Sequence, residues 1–429
     1  MKNTYKILVA ALLLMTVTFN VTAQNNFPVN LEAVLKLAGA NNLTIQEYEL
    51  KYQEALAENS KAREWWLPDI YAGASTHYLD GAAMNTDGNI LTNVSRNNLW
   101  AGLGITADID FSKGFYQSLA TKQKSEVANY LTKAARNIAI LKAVQTYFDL
   151  QMEQLKFVFL QSLVDQADTL SQQIKIKVDA GLLYQSDYLM SLSNYNHIKI
   201  SMLQAKMEWQ KKSAELTNLL NLENTLSLVS ADTTIIAVPF NMPQTDTNGF
   251  EKRAEYIALN SELQSFMTLR KGANQGLLMP KLSIGFNNGA FGAYTSPLYN
   301  TYQFNVSLLW NLPLGRLTYK GDLKKADTKI LIQQNEIEQF RNQYQEEISV
   351  VKAQLQIAGE QMELAESALK SSAEAMTQSI ERQFLGTAMP FEVFQAQQFY
   401  LQARLDYLKA VSEYNKSQFT MIVASGEEL

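Results

Sequence analysis

At 429 residues the chain has room for two or three domains. It is 47% apolar but only 18% charged, so Gln and Asn supply much of its polar surface. A net charge of −5 without a basic block excludes a nucleic-acid footprint, and the lack of cysteine excludes disulfides, thiolate chemistry, Cys metal sites and an acylated N-terminal Cys.

Residues 1–23 have the pattern of an export signal. Lys2 and Lys6 form a positive start, Ile7–Met15 is apolar, and Val21-Thr22-Ala23 is a small-residue cleavage site before Gln24. The apolar run is too short for the alternative, an uncleaved anchor helix. Beyond it no run of about 18 apolar residues occurs, so any membrane part must be built from strands. Asn30 is placed to cap a helix from Leu31 to about Leu67, which Pro68 ends. Residues 69–79 alternate as a strand, with Ile70, Ala72, Ala74 and Tyr78 against Gly73, Ser75 and His77. A Gly-, Asn-, Asp- and Thr-rich loop is expected over 80–96. A second strand over 98–109 follows, with Leu99, Ala101, Leu103, Ile105, Ala107 and Ile109 on one face.

From Gly114 to about Leu220 there is no proline, and Gly181 is the one internal glycine. Proline costs about 3 kcal/mol in a helix interior and glycine about 1, so this stretch predicts two very long helices folded at Ala180–Asp187. Gly181 supplies the stop, and Ser186 or Asp187 can cap the return. Val127, Leu131, Ala134, Ile138, Leu141, Phe148, Met152, Leu155 and Phe159 form a heptad stripe. Residues 221–248 interrupt it with Asn, Asp, Thr and two prolines, and a helix resumes from Phe250 to Met279.

The plan then repeats. Pro280 stops the helix as Pro68 did. Strands are expected over 281–291 (Leu282, Ile284, Phe286, Ala290) and 302–312 (Tyr302, Phe304, Val306, Leu308, Trp310, Leu312). A second hairpin over Lys320–Ala424 folds at Leu385–Pro390, with a stripe of Ile337, Phe340, Tyr344, Ile348, Val351, Leu355, Ala358 and Met362. Pro390 suits a first helical turn. The chain is an internal duplication, with repeats over 24–220 and 249–429 joined by a linker over 221–248.

Each strand has the length that crosses a bilayer when tilted in a barrel, and Trp and Tyr sit near the strand ends as in an interfacial girdle. The plain alternative is a soluble sheet packed on helices. Four strands cannot close a barrel and an open edge is not viable in lipid, so two, three or four copies, giving 8, 12 or 16 strands, remain open. The first helix from Gly114 to Gly181 spans roughly 100 Å, and the broken return (60 Å to Leu220 plus 45 Å over Phe250–Met279) spans roughly the same.

Two tip motifs, Gly181 through Ser186-Asp187-Tyr188-Leu189 and Gly386-Thr387 through Glu392-Val393-Phe394, stand on this duplicated frame. In layout and in these motifs the chain resembles the outer-membrane efflux protein family (TolC-like) over nearly all of its expected mature length. The resemblance implies a mainly α fold with membrane β: a homotrimer with one 12-stranded β-barrel, four strands per chain, continued by a long periplasmic α-helical barrel. It also implies a passive exit duct in the outer membrane of a Gram-negative bacterium, docking a periplasmic adaptor and an inner-membrane transporter, with helical tips that close the tube. Similar members carry two acids one turn apart on the second tip helix, where this chain has Glu392 and Gln395. They carry Arg after Gly-Thr and an upstream Tyr where this chain has Ala388 and Gln383, so their polar latch does not transfer residue for residue.

Asp187 and Glu392, repeated by symmetry, would ring a constriction with carboxylates, favouring cations and raising some pKa values. Equally, each is an acid suited to a helix first turn. Gly181, Leu182, Leu183, Gly386 and Thr387 are candidate partner-docking tips, the glycines also being plain turn residues and the leucines plain packing. Trp65, Trp66 and Trp310 are candidate interface anchors, with core packing as the alternative. His77 and His197 lack a second ligand at metal spacing, and no phosphate loop or nucleophile motif occurs, so no metal, cofactor or enzymatic activity is expected. The competing function is a soluble periplasmic coiled-coil adaptor or chaperone.

Overall fold

The computed structural model describes residues 25–85, 87–239, 249–294 and 296–429. The expected export signal and the last part of the expected linker, 240–248, lie outside the described residues. The elements in order are β1 (Asn25–Val29), α1 (Leu31–Asn41), α2 (Leu43–Ala62), β2 (Asp69–Met84), β3 (Ile90–Asp110), α3 (Phe111–Asp179) and α4 (Gln185–Leu219). There follow β4 (Leu226–Ser230), α5 (Ala254–Asn274), β5 (Lys281–Gly292), β6 (Tyr299–Leu309), α6 (Leu314–Tyr319), α7 (Gly321–Phe384) and α8 (Pro390–Ala424). The chain divides into two compact units.

One unit holds the described parts of 25–46, 136–239 and 347–429. The Asn30 side chain accepts from the Ala33 N–H at 2.9 Å and starts α1. The single helix expected to Leu67 is instead two. Asn42 leaves the helical backbone (φ −64°, ψ 125°), accepts from the Thr44 N–H at 2.9 Å and donates to the Leu219 carbonyl at 2.8 Å. Asparagine's competition for nearby backbone groups makes it a better start than an interior residue.

Within the expected linker, β4 pairs in parallel with β1. Side chains take the place of further strands around this segment. Gln154 binds both the N–H (2.7 Å) and the carbonyl (3.2 Å) of Ser230, and Ser213 accepts from the Leu228 N–H at 2.7 Å. Asn415 accepts from the Val238 N–H and donates to the Ile236 carbonyl, both at 2.9 Å. The Gln- and Asn-rich composition thus satisfies backbone that would otherwise be buried unpaired.

Two apolar clusters hold the helices of this unit. Val34 and Ala38 pack with Ile140, Val144, Tyr147, Leu216 and Leu228. Leu160, Leu163 and Ala167 of α3 pack with Ile198 and Ala205 of α4, Met376 of α7, and Ala396 and Leu401 of α8. The stripe expected on α3 is only partly the buried one: Leu131 and Ile138 are exposed, while Ala135, Ala139, Ala143 and Val144 are buried. Phe148 of the stripe is buried as expected, and alanines take the buried positions next to the exposed Leu131 and Ile138. The second stripe is buried from Tyr344 to Ala358. Asp149 of α3 joins Lys212 of α4 (3.0 Å) to Lys416 of α8 (2.8 Å), adding an ion-pair node across three helices.

The other unit holds the described parts of 47–135 and 249–346. Its antiparallel sheet has the order β2-β3-β5-β6. The first two strands run far into the expected loop 80–96, pairing out to Met84↔Ile90. Asn85 closes the turn by accepting from the Asp87 (3.1 Å) and Asn89 (2.8 Å) N–H groups, so five residues suffice where a long loop was expected. The last strand ends earlier than expected. Lys281, just after Pro280, pairs with Leu309, which leaves Trp310 and Leu312 without a ladder partner. Phe250 packs edge to face on Tyr256 of α5 and Tyr344 of α7, at centroid distances of 4.9 and 5.9 Å.

Candidate functional site

The two hairpin tips are built alike. Gly181 (φ +74°) and Gly386 (φ +76°) end their helices in the left-handed region. At the first, Leu182 N–H donates to the Lys177 carbonyl (2.8 Å) and Gly181 N–H to Val178 (2.9 Å). At the second, Thr387 N–H donates to Arg382 (2.9 Å) and Gly386 N–H to Gln383 (3.1 Å). Both are the pattern of a glycine-closed helix end. The returning helices begin at Gln185 and Pro390, so α4 starts before the caps expected at Ser186 or Asp187. Asp187 instead sits in the first turn, accepting from the Tyr184 N–H at 3.1 Å, and Glu392 accepts from the Met389 N–H at 3.4 Å. Pro390 occupies the first turn of α8.

The tips differ in charge. Arg382 pairs with Glu392 at 3.3 Å, and Thr387 Oγ1 donates to the Arg382 carbonyl at 3.0 Å. Asp187 has no such ion pair among the described residues. Gln395 is exposed and Gln383 is buried. Leu182 is exposed and Leu183 half-buried. Sequence reasoning passed over exposed apolar groups here, among them Tyr184, Phe384, Leu385 and Phe391, although each lies close to a tip glycine. It also missed Asn194 of α4, which donates to Gln397 and accepts from Gln398 of α8, both at 2.8 Å.

In the sheet, register separates two faces. Ile70, Ile105, Phe286 and Phe304 lie side by side across all four strands, and next to them Ala72, Leu103, Asn288 and Tyr302. This face is apolar yet open: Ile70 is 77%, Tyr302 80% and Phe304 69% exposed. The opposite face carries Tyr71, Gly104, Asn287 and Gln303, then Asp108, Ser283 and Ser307. Its polar groups bond to one another, Tyr71 Oη to Asn287 and Ser283 Oγ to Asp108 (2.7 Å). The outer edges of β2 and β6 have no partner strand among the described residues.

Trp66 and Trp310 are exposed just outside β2 and β6. Trp65 is half-buried, edge-on to Phe111 and lying against Gly114, where any side chain would collide with its ring. His77 lies in β2 opposite Asn98, and His197 lies in α4. Among the described residues no helix is long and apolar enough to cross a membrane, and no group of three His, Cys, Asp or Glu could hold a metal ion.

Residues 34–222 match the family model described as outer membrane efflux protein. That stretch is similar to the outer membrane efflux protein family. The fold of the rest follows the same pattern in solved structures. The Campylobacter jejuni CmeC outer membrane channel is similar with a TM-score of 0.82 at 18% identity, over 93% of this chain and 86% of that one. The Vibrio cholerae outer membrane protein VceC gives 0.77 at 15% identity, over 93% and 96%. The open-state Neisseria gonorrhoeae MtrE outer membrane channel gives 0.77 at 15%, over 92% and 89%. Among curated proteins none matches the sequence. The efflux-protein fold is mainly α, with a four-stranded sheet and two helix-strand-strand-hairpin repeats.

Proposed function

We propose that this protein is the outer-membrane exit duct of an efflux or secretion system in a Gram-negative bacterium, passing solutes supplied by a pump. The observation that carries the reading is the sheet: one face apolar and exposed, the other polar, both edges unpaired. In lipid an unpaired edge leaves N–H and carbonyl groups without water, so the sheet must close with copies of itself. Four strands of alternating direction bring β6 of one copy antiparallel to β2 of the next. A homotrimer then gives a 12-stranded barrel with apolar groups toward lipid and polar groups toward the lumen. Residues 1–23 direct export, 24–220 and 249–429 are the two repeats, and 221–248 is an equatorial linker.

In this reading the hairpin tips form the periplasmic end. Asp187 and Glu392, with Gln383 and Gln395 nearby, set the constriction, and Gly181, Leu182, Leu183, Gly386 and Thr387 meet a periplasmic adaptor coupled to an inner-membrane transporter. Trp66 and Trp310 anchor the interface with outer-membrane lipid, while Trp65 braces the joint behind them. A soluble adaptor is not favoured, because water would not tolerate an apolar face of this extent left open.

The test is the native mass of the protein extracted in detergent from outer membranes, followed by bilayer conductance. Three copies and a conducting pore are expected. A monomer or dimer in the soluble periplasmic fraction would overturn the reading.

A further inference from the structure

On the polar side of the sheet, where its strands meet α2 and α3, lies a cavity of about 1130 Å³. Its walls mix two chemistries. Trp65 and Leu309 supply apolar surface, Trp65 half-buried and Leu309 61% exposed. Lys61, Lys113, Lys124 and Lys281 supply four ammonium groups, against the carboxylates of Glu58, Asp108 and Asp110.

Two of those carboxylates are already engaged. Asp110 pairs with Lys281 at 2.9 Å and accepts from the Lys113 N–H at 3.0 Å. Asp108 accepts from Ser283 Oγ at 2.7 Å. Among the described residues no carboxylate lies within ion-pair distance of the Lys61, Lys113 or Lys124 ammonium. A chain of net charge −5 therefore presents a locally positive recess beside an aromatic ring. The volume suits a small organic molecule, and such sites combine an apolar wall with a few convergent polar groups.

We propose that this cavity binds amphiphilic organic anions, an aromatic or aliphatic body lying on Trp65 and Leu309 and an anionic group held by Lys61, Lys113 and Lys124. Given the duct reading on which this rests, the polar face is the lumen, and the cavity is a station on the path of anionic cargo. Organic cations meet a weaker match, since Asp110 is taken by Lys281 and Glu58 stands against the Lys61, Lys113 and Lys124 ammonium groups.

The test is equilibrium dialysis on the full-length protein extracted in nonionic detergent, with 1,5-naphthalenedisulfonate as an anionic probe that does not enter micelles. Methyl viologen, an aromatic dication, is the opposing probe. Saturable binding of the disulfonate at one molecule per chain is expected. It should weaken by roughly tenfold in the Lys113→Gln/Lys124→Gln double variant, which removes two partly screened charge contacts. Lys61→Gln, alone on α2, should weaken it by a smaller factor and serves if the double variant does not assemble. Equal binding of methyl viologen, unchanged affinity in both variants, or no saturable binding would each overturn the site. Bilayer conductance of the same preparation keeps the two readings apart. A protein that binds but does not conduct loses the duct, and one that conducts but does not bind loses only the site.

Discussion

Asp187 and Glu392 answer two demands with one carboxylate each. Both accept a backbone N–H at the start of a returning helix, and both carry charge at a tip. The demands separate on substitution, because an amide oxygen still accepts that hydrogen bond. Asp187→Asn with Glu392→Gln should keep the hairpins folded and move the reversal potential in a salt gradient toward zero. Arg382 offsets Glu392 at 3.3 Å while Asp187 has no such cation among the described residues, so Asp187→Asn alone should move it further than Glu392→Gln alone. A potential unchanged in the double variant would leave the carboxylates as helix starts only. Glu262 of α5 gives a second residue-scale prediction. Burial, reinforced by the Glu336 carboxylate and opposed by Lys124, raises its pKa above the ordinary carboxylate value. The folded state then holds a proton that the unfolded state has released, so stability falls as pH rises through that window and stays lower above it. Glu262→Gln should raise the melting temperature at pH 7 and leave it nearly unchanged at pH 4. Equal effects at both values would refute the assignment.

The helices were legible because their punctuation is sparse. Between Gly114 and Leu220, Gly181 is the one glycine, and the chain turns there in the left-handed region. Asn42 broke an expected helix because the sequence cannot show that Leu219 waits to take its amide proton. The β2–β3 turn is shorter than its composition suggests because Asn85 closes it with its own side chain, leaving Ala83 and Met84 free to pair with Leu91 and Ile90. The glycine stops give the element-scale prediction. At both Gly181 and Gly386 an added Cβ meets nothing within 4 Å, so crowding plays no part. Gly181→Ala and Gly386→Ala should each destabilise by about 1 kcal/mol through the left-handed backbone alone, and asparagine should cost less. Chemical unfolding of the detergent-extracted protein measures this. A loss several times larger would mean that the tips touch something absent from the single chain.

For the whole molecule the decisive quantity is which sheet face meets which solvent. The alternation of Tyr302, Phe304, Val306 and Leu308 with Gln303, Asn305 and Ser307 was readable in the sequence. The joining of these residues into continuous apolar and polar faces across four strands was not, because that depends on the β3–β5 pairing between residues far apart in the chain. The faces can be told apart with neighbouring positions on one strand. Phe304 and Gln303 share backbone surroundings and differ only in direction, so an arginine at each position is the same change presented to two environments. A lipid-facing arginine near the bilayer midplane costs about 2–4 kcal/mol, and one facing a water-filled lumen costs little. Phe304→Arg should deplete the protein from the outer-membrane fraction, while Gln303→Arg should insert normally and lower cation conductance by its charge. Normal insertion of Phe304→Arg would place that face in water. The apolar surface would then have to be covered by protein, and the closure of the sheet into a lipid-embedded barrel would fail with it.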